Sequence, residues 1–213
     1  MIAESLANAY RSERLVYRAV ENNEEDKSFV HTEINSDPVL VALASKRVVQ
    51  PRDQRLAQKL VEMMQASVMG VLICLPAGGD DGSAATSNGD KKTAKSTPIG
   101  ILVVEPGVID AETARHRLVT LAISLAAPFR NKGYGTEAIN WVLDWSFRCG
   151  GFHRVSIFAW SHNERAVHLY KRLGFVEEGR IRESVWLDRK WYDEVHLGIL
   201  ESEWEALRGA REG

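Results

Sequence analysis

Two cysteines, Cys74 and Cys149, are all that 213 residues contain, and each sits inside an apolar segment far from the other. A disulfide framework is therefore excluded, and both are expected as buried, reduced thiols. The six histidines are scattered, and no His/Cys group has the spacing of zinc ligands, so no metal is expected. No apolar run is long enough to span a bilayer, and Met1 to Tyr10 lacks the charged start and apolar middle of a signal peptide. The expected location is cytoplasmic or nucleocytoplasmic. Charge of neither sign dominates: the formal net charge is −2, which provides no global attraction to nucleic acid or to a membrane. Internal repeats are absent too.

One stretch lacks large apolar side chains altogether. Pro76 to Pro98 is built from Gly, Ser, Ala, Asp, Thr, Asn and Lys around its terminal prolines. Such a segment cannot bury enough apolar surface to offset its ordering entropy, so it reads as a mobile hairpin insertion. It is not a domain boundary, because Val68 to Leu75 and Ile99 to Glu105 on either side read as antiparallel partners in one sheet. With 45% hydrophobic and 26% charged residues, residues 1–213 suit a single domain with a full core.

What is present is organised around Leu118 to Gly151. Leu118 to Leu125 is a β-branched and aliphatic run, closed by a turn signal at Pro128. The turn Arg130-Asn131-Lys132-Gly133-Tyr134-Gly135 follows. Then Ala138, Ile139, Trp141, Val142, Trp145 and Phe147 recur at roughly helical spacing until Cys149-Gly150-Gly151. Two glycines at a helix start leave backbone N–H groups uncovered at the positive end of the helix dipole. With the cations of Arg130 and Lys132 beside them, the turn reads as a cradle for a phosphate-bearing ligand. By itself it does not decide between ligands, since Gly133-x-Gly135-x-x-Ala138 also satisfies a weak dinucleotide fingerprint.

The remaining elements are placed in order. Arg14 to Val20 reads as a first strand with Leu15, Tyr17 and Ala19 on one side. The acidic patch Glu21, Glu24, Glu25 and Asp26 opens a segment whose Phe29, Val30 and Ile34 suit a helix's buried stripe; acidic residues favour a helix start, and the alternative is a rim attracting a cationic amine. Pro51-Arg52-Asp53 begins another helix, with Leu56, Leu60, Val61 and Met64 toward the core. His153 to Trp160 is a strand leading into Asn163, a good helix N-cap. Phe175 to Trp186 and Trp191 to Leu200 form a hairpin, and Glu201 to Arg208 a closing helix.

Twenty-eight residues after Gly135 comes Asn163-Glu164-Arg165-Ala166-Val167-His168-Leu169-Tyr170-Lys171-Arg172-Leu173-Gly174-Phe175. This resembles the second signature of the GCN5-related N-acetyltransferases: an Asn opening a short helix, Ala three on, Leu-Tyr near its end, then Gly-Phe. With the cradle in front of it, the resemblance covers about Leu118 to Leu200. Within the superfamily it is closest to the ribosomal-protein and spermidine acetyltransferase branch, which Gly179 to Trp186 and Trp191-Tyr192-Asp193 also resemble. Aromatic residues there could wall an acceptor pocket or simply pair across strands. The stretch before Leu118 departs from those relatives.

The resemblance implies an α/β (α+β) fold: a mixed, mostly antiparallel twisted sheet of about seven strands, helices on both faces, and central strands splayed around acetyl-CoA. It implies an acetyl-CoA-dependent N-acetyltransferase acting on a primary amine, either a small molecule such as a polyamine or a protein N-terminus. Amides from about Asn131 to Thr136 would bind the pyrophosphate. The strand edge at Ile123, Ser124 and Leu125 would pair with pantetheine amides. Asn163 would bond the pantetheine arm or only cap its helix, and Lys171 and Arg172 would reach the adenosine 3′-phosphate or only face solvent. Tyr170 matches the tyrosine placed near the cofactor sulfur as general acid. The general base stays open among Glu33, Glu112, His116, Glu183 and a water chain. Homodimerisation through the terminal strands rests on family analogy. The competing readings are a non-catalytic coenzyme-A-binding module and a dinucleotide-dependent oxidoreductase; against the latter, antiparallel strands follow the helix where a βαβ series is needed.

Overall fold

The computed structural model describes residues 6, 8–77, 95–107 and 112–212. Seven strands form one sheet: β1 (Val16–Ala19), β2 (Met69–Leu75), β3 (Thr97–Pro106), β4 (Leu118–Leu125), β5 (Arg154–Trp160), β6 (Val176–Leu187) and β7 (Lys190–Leu200). Their spatial order is β1-β2-β3-β4-β5-β7-β6. Five neighbouring pairs are antiparallel, and β4–β5 is the parallel pair. Cys74 pairs with Pro98 and Leu75 with Thr97, so the expected hairpin does bring its strands together; most of the expected insertion, residues 78–94, lies outside the described residues.

Alternation along the strands feeds two cores. Leu102 and Val104 of β3 join Val119, Leu121, Val155, Ile157, Val195 and Leu197 on one face. There they meet α4 (Tyr134–Arg148), α5 (Glu164–Arg172) and α6 (Glu201–Glu212). Ile101 and Val103, one residue out of phase, point to the other face with Leu72 and Cys74. That face is covered by α1 (Glu24–Phe29), which runs into a π-helical turn at Val30–Asn35, by α2 (Pro38–Ala44) and by α3 (Gln54–Ala66). Val30, Ile34, Leu40, Val61 and Met64 are the apolar stripe of this layer.

Several expectations need correction. β1 stops at Ala19, which is exposed, and Val20 is buried in the second core instead. Cys149 is exposed, because it caps α4 after the helix's apolar stripe has ended at Phe147; Cys74 is fully buried. α2 was not read from sequence, although Asp37-Pro38 is a start signal: Asp37 Oδ1 accepts from the amides of Val39 (2.9 Å) and Leu40 (3.2 Å).

The acidic patch does open α1, with Asn23 as its cap. Asp26 is fully buried there, receiving Arg18 Nη1 (2.8 Å), Arg18 Nη2 (2.6 Å) and the Glu21 amide (2.8 Å). Burial alone would raise its pKa, but these donors outweigh that and hold the carboxyl below its ordinary value.

Candidate active site

The parallel pair is joined only at its beginning. Leu118 pairs with Arg154, Val119 with Val155 and Thr120 with Ser156; past these the two strands share no register partners, while β5 stays paired with β7 along its whole length. The opening forms a cavity of about 720 Å³ between β4 and β5, roofed by α5 and the start of α4. That volume is in the usual range for a ligand pocket.

The backbone groups that face it can be assigned. The Gly107 amide donates to Leu118 O (2.9 Å) and the Ala126 amide to Ile99 O (2.9 Å), so even-numbered residues of β4 bond to β3. Antiparallel alternation then turns Leu121, Ile123 and Leu125 toward the opening. Of the three residues expected to offer a free edge, Ile123 and Leu125 do so, whereas the Ser124 backbone belongs to the β3 ladder. The Leu125 carbonyl is already taken, by Arg130 Nε at 2.8 Å.

At one end of the opening stands the glycine turn. Asn131 (φ 68°) and Gly133 (φ 85°) both take the left-handed conformation, the first a residue type that tolerates it and the second without a Cβ to clash. Gly133 is the N-cap of α4 and gives no side-chain cap, so the first-turn amides of Tyr134, Gly135 and Thr136 have no capping acceptor. A Cβ on Gly135 would lie 3.7 Å from Leu125 Cδ1, at the cavity wall. The helix start is pinned from outside: Glu137 accepts Ser12 Oγ (2.6 Å), the Arg14 amide (2.7 Å) and Arg14 Nε (2.8 Å).

Ile123, Ser124, Leu125, Arg130, Asn131, Gly133, Gly135, Thr136, Asn163, Tyr170 and Arg172 all line this one cavity. Three of the nominated side chains do not. Lys132 lies 5.7 Å over the Phe129 ring, Tyr134 lies under the Arg14 guanidinium, and Lys171 pairs with Glu177 at 2.6 Å. Arg130 reaches the wall but is ion-paired with Asp37 at the start of α2, so its charge ties the cradle to that helix. Asn163 uses both ends of its amide: Oδ1 accepts from the Ala166 amide (3.2 Å) and Nδ2 donates to Leu43 O (3.3 Å). Capping is thus its visible work.

Tyr170 lies in the last turn of α5, 8% exposed, with its ring centre 6.1 Å from that of Phe175. Burial pushes its phenol up to about 12, and no hydrogen-bond partner meets the hydroxyl among the described residues. The group is a proton donor held in its neutral form across the physiological range.

Sequence reasoning missed other wall residues. Arg165 and His168 line the cavity with Arg172, a stripe at i, i+3 and i+7 of one helix that the periodicity could have revealed. Leu40, Leu43 and Ala44 come from the unpredicted α2, and Phe158 and Trp160 from β5. None of Glu33, Glu112, His116 and Glu183 lines it.

A mixed sheet opened along its one parallel pair, with an uncapped glycine turn at one end of the opening and a buried phenol on its wall, defines the fold class of the GCN5-related acetyltransferases. The acetyltransferase (GNAT) domain model matches residues 14–176, well over half of the chain, and the chain belongs to that family. It is 34% identical over 89 residues to spermidine N(1)-acetyltransferase of Vibrio cholerae serotype O1, a match to 42% of this chain and 51% of that protein. To ribosomal protein uS5-alanine N-acetyltransferase of Escherichia coli strain K12 it is 29% identical over 84 residues, covering 39% and 43%. The chain thus spans about half the length of the curated relatives it matches. Among solved structures, spermidine N-acetyltransferase from V. cholerae in complex with CoA and spermine superimposes with a TM-score of 0.68 at 22% identity, covering 91% of this chain and 99% of that one. A GNAT-family acetyltransferase from Bacillus anthracis gives 0.67 at 21% identity, covering 91% and 98%.

Proposed function

We propose that this chain is an acetyl-CoA-dependent N-acetyltransferase whose acceptor is a primary amine, either a polyamine-like small molecule or a protein N-terminus. The observation that carries the reading is the convergence of both sequence signatures on one cavity, from the first-turn amides of α4 to Tyr170 on α5. The residues present suit the coenzyme. Bare amides at residues 134–136 suit a diphosphate, the outward amides of Ile123 and Leu125 suit the amides of pantetheine, and Arg165, His168 and Arg172 suit a further phosphate. When bound, acetyl-CoA supplies an activated thioester carbonyl for the amine to attack. Tyr170 keeps its proton in the cavity wall, where it can donate to a developing charge; the Arg130–Asp37 pair holds α2 against the cradle.

Calorimetry with acetyl-CoA and with NAD, followed by thiol release over a panel of amines and N-terminal peptides, tests the proposal. Acetyl-CoA binding with turnover supports it. Binding without turnover on any amine or peptide makes the chain a coenzyme-binding module, and NAD binding in its place makes it an oxidoreductase.

A further inference from the structure

The β5–β7 pairing puts an unusual group of side chains beside the cavity. Phe158 is opposite His196 and Trp160 opposite Glu194, so all four rise on the face away from α4. Phe158 and Trp160 line the cavity. Glu194 is only 5% exposed. Its carboxylate accepts from Ser184 Oγ at 3.1 Å, lies 3.3 Å from His196 Nε2, and is ion-paired with Lys46. The Lys46 ammonium is also 5.6 Å from the centre of the Trp160 ring. One polar atom of this wall, Trp160 Nε1, is buried without a hydrogen-bond partner among the described residues, and His196 Nε2 has only the Glu194 carboxylate beside it. Buried orphans of that kind call for a ligand or for an explanation.

A carboxylate on one side and an indole on the other is how a protein recognises an alkylammonium. Here the ammonium in place belongs to the chain itself. We propose that Glu194 and Trp160 form the seat for an ammonium group of the acceptor, and that Lys46 is its intramolecular occupant, which the acceptor displaces. The proposal rests on the acetyltransferase reading and names a specificity site within it. The seat belongs to the sheet, whereas Lys46 sits in the irregular segment after α2 with its side chain 55% exposed. Exchange leaves the buried carboxylate paired in both states, so it avoids the large penalty of a bare buried charge. The acceptor's apparent affinity is then lowered by the occupancy of Lys46, as for any competing state.

The test begins with 15N-lysine-labelled protein, in which the Lys46 ammonium resonance is identified by its loss in Lys46→Ala. Titration with n-butylammonium chloride should remove the paired Lys46 signal at concentrations where sodium chloride of equal ionic strength leaves it. Glu194→Gln should remove it without any amine. With the best amine of the panel, Lys46→Ala should lower KM about five-fold, the worth of a half-exposed ion pair. Glu194→Gln should raise KM about ten-fold or more, with acetyl-CoA affinity unchanged in both. Sodium acting as well as butylammonium, or a KM that Lys46→Ala leaves unchanged or raises, overturns the proposal. Lys46→Ala removes a half-exposed side chain and leaves the Glu194 carboxylate its Ser184 and His196 contacts, so it carries the test even if Glu194→Gln does not fold. A panel without turnover defeats the acetyltransferase reading, while the butylammonium titration still decides the seat.

Discussion

Replacing Tyr170 by Phe removes one hydroxyl and keeps the ring. The hydroxyl has no hydrogen-bond partner among the described residues, and the ring keeps its place beside Phe175, so the fold should lose little: less than about 1 kcal/mol. The kinetic effect follows from the position of the phenol on the acidity scale. Burial pushes it up to about 12, whereas a thiol has an ordinary value of about 8.5. Complete transfer of the phenolic proton to a departing thiolate is then uphill by about 3.5 units, on the order of 5 kcal/mol. What the hydroxyl can give cheaply is a hydrogen bond to the charge growing on sulfur, comparable to one oxyanion-hole donor, about 3 kcal/mol. We therefore expect Tyr170→Phe to lower kcat by about 10²-fold while leaving the acetyl-CoA Kd within about two-fold. Thiol-release kinetics and calorimetry measure the two quantities separately. The pH profile of the unmodified protein should show no alkaline fall from Tyr170 below about pH 11, as its raised pKa requires. Equal loss of coenzyme affinity and rate would make Tyr170 a packing residue, and an alkaline limb near pH 9 that vanishes in the Phe variant would refute the argument from burial.

Gly135→Val places its Cβ 3.7 Å from Leu125 Cδ1 and its methyls into the cavity; acetyl-CoA affinity should fall at least about ten-fold with the fold retained, and unchanged affinity by calorimetry would contradict the cradle. Asp26→Asn leaves the Arg18 guanidinium beside a buried neutral amide, and unfolding by urea should show a loss of about 3 kcal/mol. Because Asp26 is held below its ordinary value of 3.8, its contribution is present above about pH 4 and fades as pH falls further. The difference between Asp26→Asn and the unmodified protein should therefore narrow on acidification; a constant difference would exclude this ion pair as its source.

The conformation of the glycine turn was legible because it is local. Gly133 and Gly135 sit a few residues from the strand and helix they join, and turn conformation, helix spacing and N-terminal amides all follow from sequence neighbours. Leu118–Leu125 came out with the limits read from its residues, and Asn163 capped the helix it was expected to open. The second signature was equally compact, so Tyr170 could be nominated without knowing what surrounds it.

What escaped were relations between distant residues. Nothing in the spacing of Arg130 shows that its charge is bound by Asp37, ninety-three positions earlier, nor that Lys171 is neutralised by Glu177 across the helix end. Glu194 reads as one more acidic residue in an edge hairpin until β7 pairs with β5 and sets it beside Trp160 and Lys46. The sequence by itself determined the fold class, the glycine turn at the helix start and the candidate phenol, because periodicity, glycine conformation and capping act over a few residues. Only the tertiary structure decided which cations are paired, how far the sheet opens and which side chains line the opening, because charge pairing and burial depend on which strands and helices meet in space.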